Sequence, residues 1–141
     1  MNDSTKQRLY YWGMVLFLLG LVTGLANPAF KNPRMGLSAH LEGVMNGTFL
    51  ILVGVLWERI RVAERSKLVA YWALIWGTFV NWLACVLAAI TGASRMTPIA
   101  GRGFSGEPAA ELLVAGLFVS VGLAMTFGVA ILAWGLRPRS S

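Results

Sequence analysis

Five ionisable or amide side chains interrupt the apolar part of this sequence, and they are the residues that could do chemistry. His40 is the only histidine, and it lies in the stretch LSAHLEGVMNGTF from Leu37 to Phe49. Glu42 and Asn46 follow it, and Asn81 lies in a later apolar run. Glu111 stands near the start of another. An imidazole suits iron or another metal as a ligand. The competing use is an interfacial ring wetted by lipid headgroups. Helix geometry bears on the choice: at about 100° per residue, Gly43 lies about 60° from His40 and Gly47 about 20°. Two glycines beneath the ring leave a face without side chains, on which a flat macrocycle could lie. Close helix packing would use the same glycines, and the two uses are compatible.

The donor inventory narrows the metal chemistry. Zinc and copper sites need three or four nitrogen, sulfur or carboxylate ligands. The chain offers one histidine, one cysteine (Cys85, inside an apolar run) and one nearby carboxylate. Haem supplies four nitrogens of its own and needs one axial ligand from the protein. There is no CxxCH attachment motif, so a haem would be held without covalent bonds. Glu42 lies about 200° around the helix from His40. It reads as a carboxylate in the first turn of a helix, favoured by the dipole there, or as a proton-coupled group. Asn46 sits about 9 Å along the helix from His40 and about 120° around it. Asn81 falls at a similar depth if the second and third helices are antiparallel neighbours. The two amides read as an interhelical hydrogen bond or as the lining of a pocket.

The elements that position these residues follow from hydropathy. The chain has 141 residues, more than half of them hydrophobic, and its charges are segregated from long apolar runs. The apolar segments run from about Tyr10 to Ala26, Ala39 to Trp57, Leu68 to Ile90 and Ala109 to Trp134. Each can cross a hydrocarbon core of about 30 Å as a helix. The expected fold is one all-α domain, an integral membrane bundle of four transmembrane helices that self-associates. The net charge of +6 does not point to nucleic acid, because the basic residues sit in the gaps between spans. Lys6, Arg8, Arg59, Arg61, Arg65, Lys67, Arg137 and Arg139 fall on one side, and Lys31, Arg34, Arg95 and Arg102 on the other. The positive-inside rule then puts both termini in the cytoplasm of a bacterial-type inner membrane. Trp57, Tyr71, Trp72 and Trp134, with the aromatic cluster Tyr10 to Trp12, read as an interfacial belt. Small residues four apart (Gly20 and Gly24, Gly43 and Gly47, then Gly116, Ser120, Ala124 and Gly128) mark close-packing helix faces.

The segment AHLEGVMNG, Ala39 to Gly47, resembles the second-helix signature of the styrene oxide isomerase family. His40, Gly43, Asn46 and Gly47 fit that pattern position by position. The four-helix layout and the loop GRGFSG before the last helix are similar too. The resemblance implies a homotrimer binding haem b at subunit interfaces, with His40 as axial ligand to the iron and Asn46 beside the open haem face. It implies a Meinwald rearrangement, in which ferric haem acts as a Lewis acid on an apolar or aryl epoxide such as styrene oxide and a hydride shift gives a carbonyl compound. Arg102, or Arg95, Lys31 or Arg34, would meet the propionates. The third helix departs from the family pattern: it has no aspartate, and its one tyrosine, Tyr71, lies far from His40. Asn81 is the polar residue that could stand in, which makes the substrate an open matter.

Two other functions suit parts of the same sequence. A haem-binding membrane protein for electron transfer or sensing would need a second axial ligand, for which Met45 is a candidate. A small multidrug-type transporter would use Glu42, but a carboxylate near a helix end makes a poor midplane site.

Overall fold

The computed structural model describes residues 2–138, and every regular element among them is helical. The helices are α1 (Asn2–Ala26), α2 (Pro33–Leu56), α3 (Glu64–Thr91) and α4 (Pro108–Leu136), with single 3-10 turns at Asn27–Ala29 and Trp57–Arg59. They contain 25, 24, 28 and 29 residues, so each exceeds the ~20 needed to span a bilayer. All four are apolar enough to do so. Arg139, counted above for charge asymmetry, lies outside the described residues.

The helices pack in chain order, α1 on α2, α2 on α3 and α3 on α4. α3 is the most enclosed span, with 44% of its most apolar window buried. α4 is the least, at 17%, so it stands at the periphery with most of its surface directed outward. Two apolar cores form, one toward each end. Leu9, Leu16, Leu50, Val53, Trp57, Tyr71 and Leu74 belong to the first. Met35, Ala39, Cys85, Ala88, Ala89 and Val114 belong to the second. Glu42, Asn46 and Asn81 fall between the two along α2 and α3.

The start of α2 differs from the expected position near Ala39. The segment NPAFKNPRMG holds two prolines and two cations, which made it read as a break. Pro33 instead occupies the first turn, where its missing N–H is no loss. Fully buried Asn32 caps the helix, its Oδ1 accepting from the N–H groups of Arg34 and Met35 at 3.1 and 3.3 Å. The same side chain donates to the Ala100 carbonyl at 3.1 Å, and its backbone N–H reaches the Ala89 carbonyl at 2.9 Å. His40 therefore lies about 10 Å into α2 and Glu42 about 14 Å. Neither is at the helix end.

The long loop between α3 and α4 is also anchored. Gly92 ends α3 with φ of 80°, a left-handed conformation that glycine adopts without strain. Buried Glu111 then accepts backbone N–H bonds from Ser94, Arg95 and Gly106, at 2.9, 3.0 and 3.1 Å. This carboxylate has a structural task that its polarity alone did not disclose. The aromatic belt also needs correcting. Tyr11, Trp12, Trp72 and Trp134 are exposed, but Trp57 and Tyr71 are core residues, 2% and 5% exposed and packed edge to face.

Candidate functional site

His40 faces α1. Its Nδ1 lies 2.8 Å from the backbone carbonyl oxygen of Gly20. A carbonyl only accepts, so this bond places the proton on Nδ1 and leaves the lone pair on Nε2. Gly24 makes the approach possible, since a Cβ there would stand 2.6 Å from Nδ1. The ring lines a cleft of about 460 Å³ with Leu21, Gly24, Leu25, Leu37 and Asn27. Its walls are mostly apolar, and three of its leucines are exposed on the outside of the bundle. Gly20 and Gly24 were legible only as packing residues. Their spacing repeats that of Gly43 and Gly47, and one antiparallel register of α1 on α2 brings Gly20 to Gly43 and Gly24 to His40.

Gly43 and Gly47 do something other than open a face for a macrocycle. A Cβ on Gly43 would meet the Gly20 Cα at 2.4 Å and the Trp82 ring at 3.1 Å. One on Gly47 would meet the Gly13 carbonyl and the Phe17 backbone at 2.6 Å. The space beneath the imidazole is filled by α1, and the rival use of these glycines, helix packing, accounts for them. Trp82 is itself fixed by a 3.0 Å bond from its indole N–H to Thr23 Oγ1.

A second polar cluster lies on the other side of α2. Glu42 Oε2 accepts from Asn46 Nδ2 at 3.0 Å and from Asn81 Nδ2 at 2.6 Å. The amides are at one depth, as their spacing implied, but they converge on the carboxylate rather than on each other. Glu42 thus joins α2 to α3 in the middle of the span, and α3, which lacks an aspartate, meets a carboxylate from its neighbour instead. All three residues are half-buried. His40 and Glu42 flank an outward stripe on α2 that includes Leu41, Met45 and Leu52, which are 46, 65 and 55% exposed. Met45 belongs to this stripe, away from the His40 cleft, and so is poorly placed as a second ligand within one chain. The depth of Glu42 also removes the objection that it sits too near a helix end.

The loop cations divide into two groups. Lys31 Nζ donates to the carbonyls of Thr91 and Ser105, at 3.1 and 3.3 Å. Arg34 donates to the carbonyls of Ala100 and Arg102. Both serve the loop. The side chains of Arg95 and Arg102 are exposed, and Arg102 does not line the His40 cleft.

The donor set fits a group that brings its own equatorial ligands. Among the described residues no cluster of three or more His, Cys, Asp or Glu side chains could hold a bare metal ion. One imidazole, held through Nδ1 by a backbone carbonyl and lining an apolar cleft, suits the single ligand that a porphyrin iron needs from the protein.

Two curated relatives come from Ectopseudomonas oleovorans. Hydroxylaminobenzene mutase HabB is 45% identical over 132 residues, which is 93% of this chain and 80% of the relative. Hydroxylaminobenzene mutase HabA is 44% identical over 129 residues, 91% of this chain and 96% of the relative. No solved structure matches. The family described as styrene oxide isomerase matches residues 5–137, nearly the whole length, and this chain belongs to that family.

Proposed function

We propose that this membrane isomerase rearranges N-arylhydroxylamines, moving the hydroxyl group from nitrogen to the aromatic ring to give an aminophenol, with His40 holding the iron of haem b. The two mutase relatives support the substrate. The observation that carries the site is the imidazole, tied to the Gly20 carbonyl through Nδ1 and lining a mostly apolar cleft. Ferric haem bound there supplies a Lewis acid, which draws electron density from a substrate oxygen without a net redox change. The chain's own residues do the rest. Gly20 and Gly24 hold the ring and its tautomer. Leu21, Leu25 and Leu37 keep the cleft dry, which matters because water would capture an electron-poor aryl intermediate. Asn46 and Asn81 each give one N–H to Glu42 and keep a second N–H and a carbonyl for a substrate heteroatom.

Within one chain, His40 and the Glu42 cluster open on different sides of α2. A second copy that lays its Glu42 face against the His40 cleft completes one site. Such a contact uses two different surfaces, and it closes into a ring when the rotation permits. A homotrimer with haem between neighbours fits that requirement, and Arg102 and Arg95 are candidates for the propionates. The lysine and arginine asymmetry supports cytoplasmic termini in a bacterial inner membrane.

An aryl epoxide is the second reading, favoured by the family's description. Both substrates break a bond from oxygen to an atom conjugated with an aromatic ring, which spreads the developing positive charge. The test is to give purified protein, reconstituted with hemin, hydroxylaminobenzene and styrene oxide in parallel and to separate the products. Aminophenol that disappears in His40→Ala is expected. A carbonyl product from styrene oxide alone moves the assignment to the epoxide, and turnover of neither overturns it. A haem absorption band unaffected by His40→Ala overturns the ligand.

A further inference from the structure

We propose that Glu42 is the catalytic group that carries the proton in the hydroxylamine rearrangement, an inference that rests on the arylhydroxylamine reading above. That reaction is not finished when the N–O bond has broken and the new C–O bond has formed. The ring carbon that takes the oxygen still bears its hydrogen. Aromaticity returns only when that hydrogen leaves as a proton and the C–H electron pair goes back to the ring. The nitrogen began with one hydrogen and ends with two. One proton therefore travels from carbon to nitrogen, nothing else enters or leaves, and no oxidant or reductant is consumed. A direct shift between adjacent ring carbon and nitrogen substituents is badly angled, so a group that accepts the proton and returns it is required. The epoxide rearrangement has no such need, because its hydrogen moves with its electron pair to the next carbon.

Glu42 meets the requirement. The chain's other described acidic residues with a side-chain environment are Glu58, Glu64, Glu107 and Glu111, which lie at helix ends or in the connections. Glu42 alone lies deep within a span. Both amides converge on Oε2, and among the described residues no hydrogen bond engages Oε1. Two donors from two helices fix the carboxylate while one oxygen stays open to take a proton. The cluster borders the outward stripe of α2, at nearly the same depth as His40, where a neighbouring copy's cleft would meet it.

Interhelical attachment alone would explain the hydrogen bonds, and Glu42→Gln separates the two roles. A glutamine carbonyl still accepts from Asn46 and Asn81 but cannot carry the proton. Full-length wild type, Glu42→Gln and Glu42→Asp, each reconstituted with hemin, are compared on hydroxylaminobenzene with hydrogen or deuterium on the ring, with styrene oxide in parallel. Glu42→Gln is expected to slow hydroxylaminobenzene turnover at least ~100-fold. It should also raise the ring-deuterium isotope effect and lower the ratio of hydroxylamine to epoxide turnover. Glu42→Asp keeps a carboxylate set back by one methylene, and should show a smaller loss with a raised isotope effect. A folded Glu42→Gln with wild-type rate and isotope effect overturns the role. If that variant does not fold, a Glu42→Asp protein with both values unchanged overturns it equally. Wild type that converts styrene oxide but not hydroxylaminobenzene overturns the substrate reading, and this inference with it.

Discussion

The seam between α1 and α2 and the seam between α3 and α4 are both lined with small residues, yet they are built differently. In the first, backbone meets backbone. Hypothetical Cβ atoms on Gly20, Gly43 and Gly47 fall 2.4 to 2.6 Å from main-chain atoms of the partner helix. In the second, glycine meets side chain: Gly77 faces the flexible Met125, and a Cβ on Gly128 would stand 3.2 and 3.3 Å from the side chains of Ala73 and Leu74, tight but not against main chain. Gly116 and Gly122 face nothing within 4 Å. Backbone contact leaves no freedom to slide, because any change of register brings a Cβ into a main chain. It is this fixed register that sets the Gly20 carbonyl opposite His40. The chemical task proposed for His40, which needs a ring held to a fraction of an ångström, would sit on the rigid seam. The adaptable seam carries α4, whose exposed small residues remain available to lipid or another copy.

The sharpest way to break the contrast is to add bulk to the rigid seam. Gly43→Val should destabilise the fold by about 3 kcal/mol or prevent its formation, read as thermal unfolding in detergent. An unchanged unfolding temperature would mean that the seam is not close-packed. His40→Ala should leave that temperature nearly unaltered while isomerase turnover and the His40-dependent haem band fall ~100-fold or more. Gly24→Ala tests whether the seam positions the ring. Its added methyl would displace Nδ1, so haem affinity should drop about 10- to 100-fold with much smaller loss of stability, read by hemin titration. On the other seam, Gly116→Ala adds a methyl to open space. It should change stability by about 1 kcal/mol at most, in the favourable direction that helix propensity gives. A loss there would show that a second copy already covers Gly116.

The spans, the single imidazole and the level of the two amides could all be read from hydropathy and helical periodicity. What could not be read was set by contacts distant in sequence. The capping of α2 depends on Asn32 finding both its own helix and the Ala100 carbonyl, and without that knowledge two prolines looked like a break. That error put Glu42 in a first turn and hid it as a partner for Asn46 and Asn81. Gly43 and Gly47 had two uses on paper, and only the position of α1 decides between them. Trp57 lay where a belt residue belongs, but the chain turns inward through a 3-10 turn and buries it.

The clasp at the His40 end governs how anything small gets in. Asn32, Glu111, Lys31 and Arg34 together tie the segment between α3 and α4 to the beginnings of both neighbouring helices, so it cannot lift as a lid. Within a single chain the His40 cleft therefore opens to the side, past Leu25 and Leu37, which are 85 and 51% exposed. A molecule arriving by that path has already dissolved among acyl chains. Its supply is set by oil–water partitioning, and its hydration shell is gone before it touches the protein.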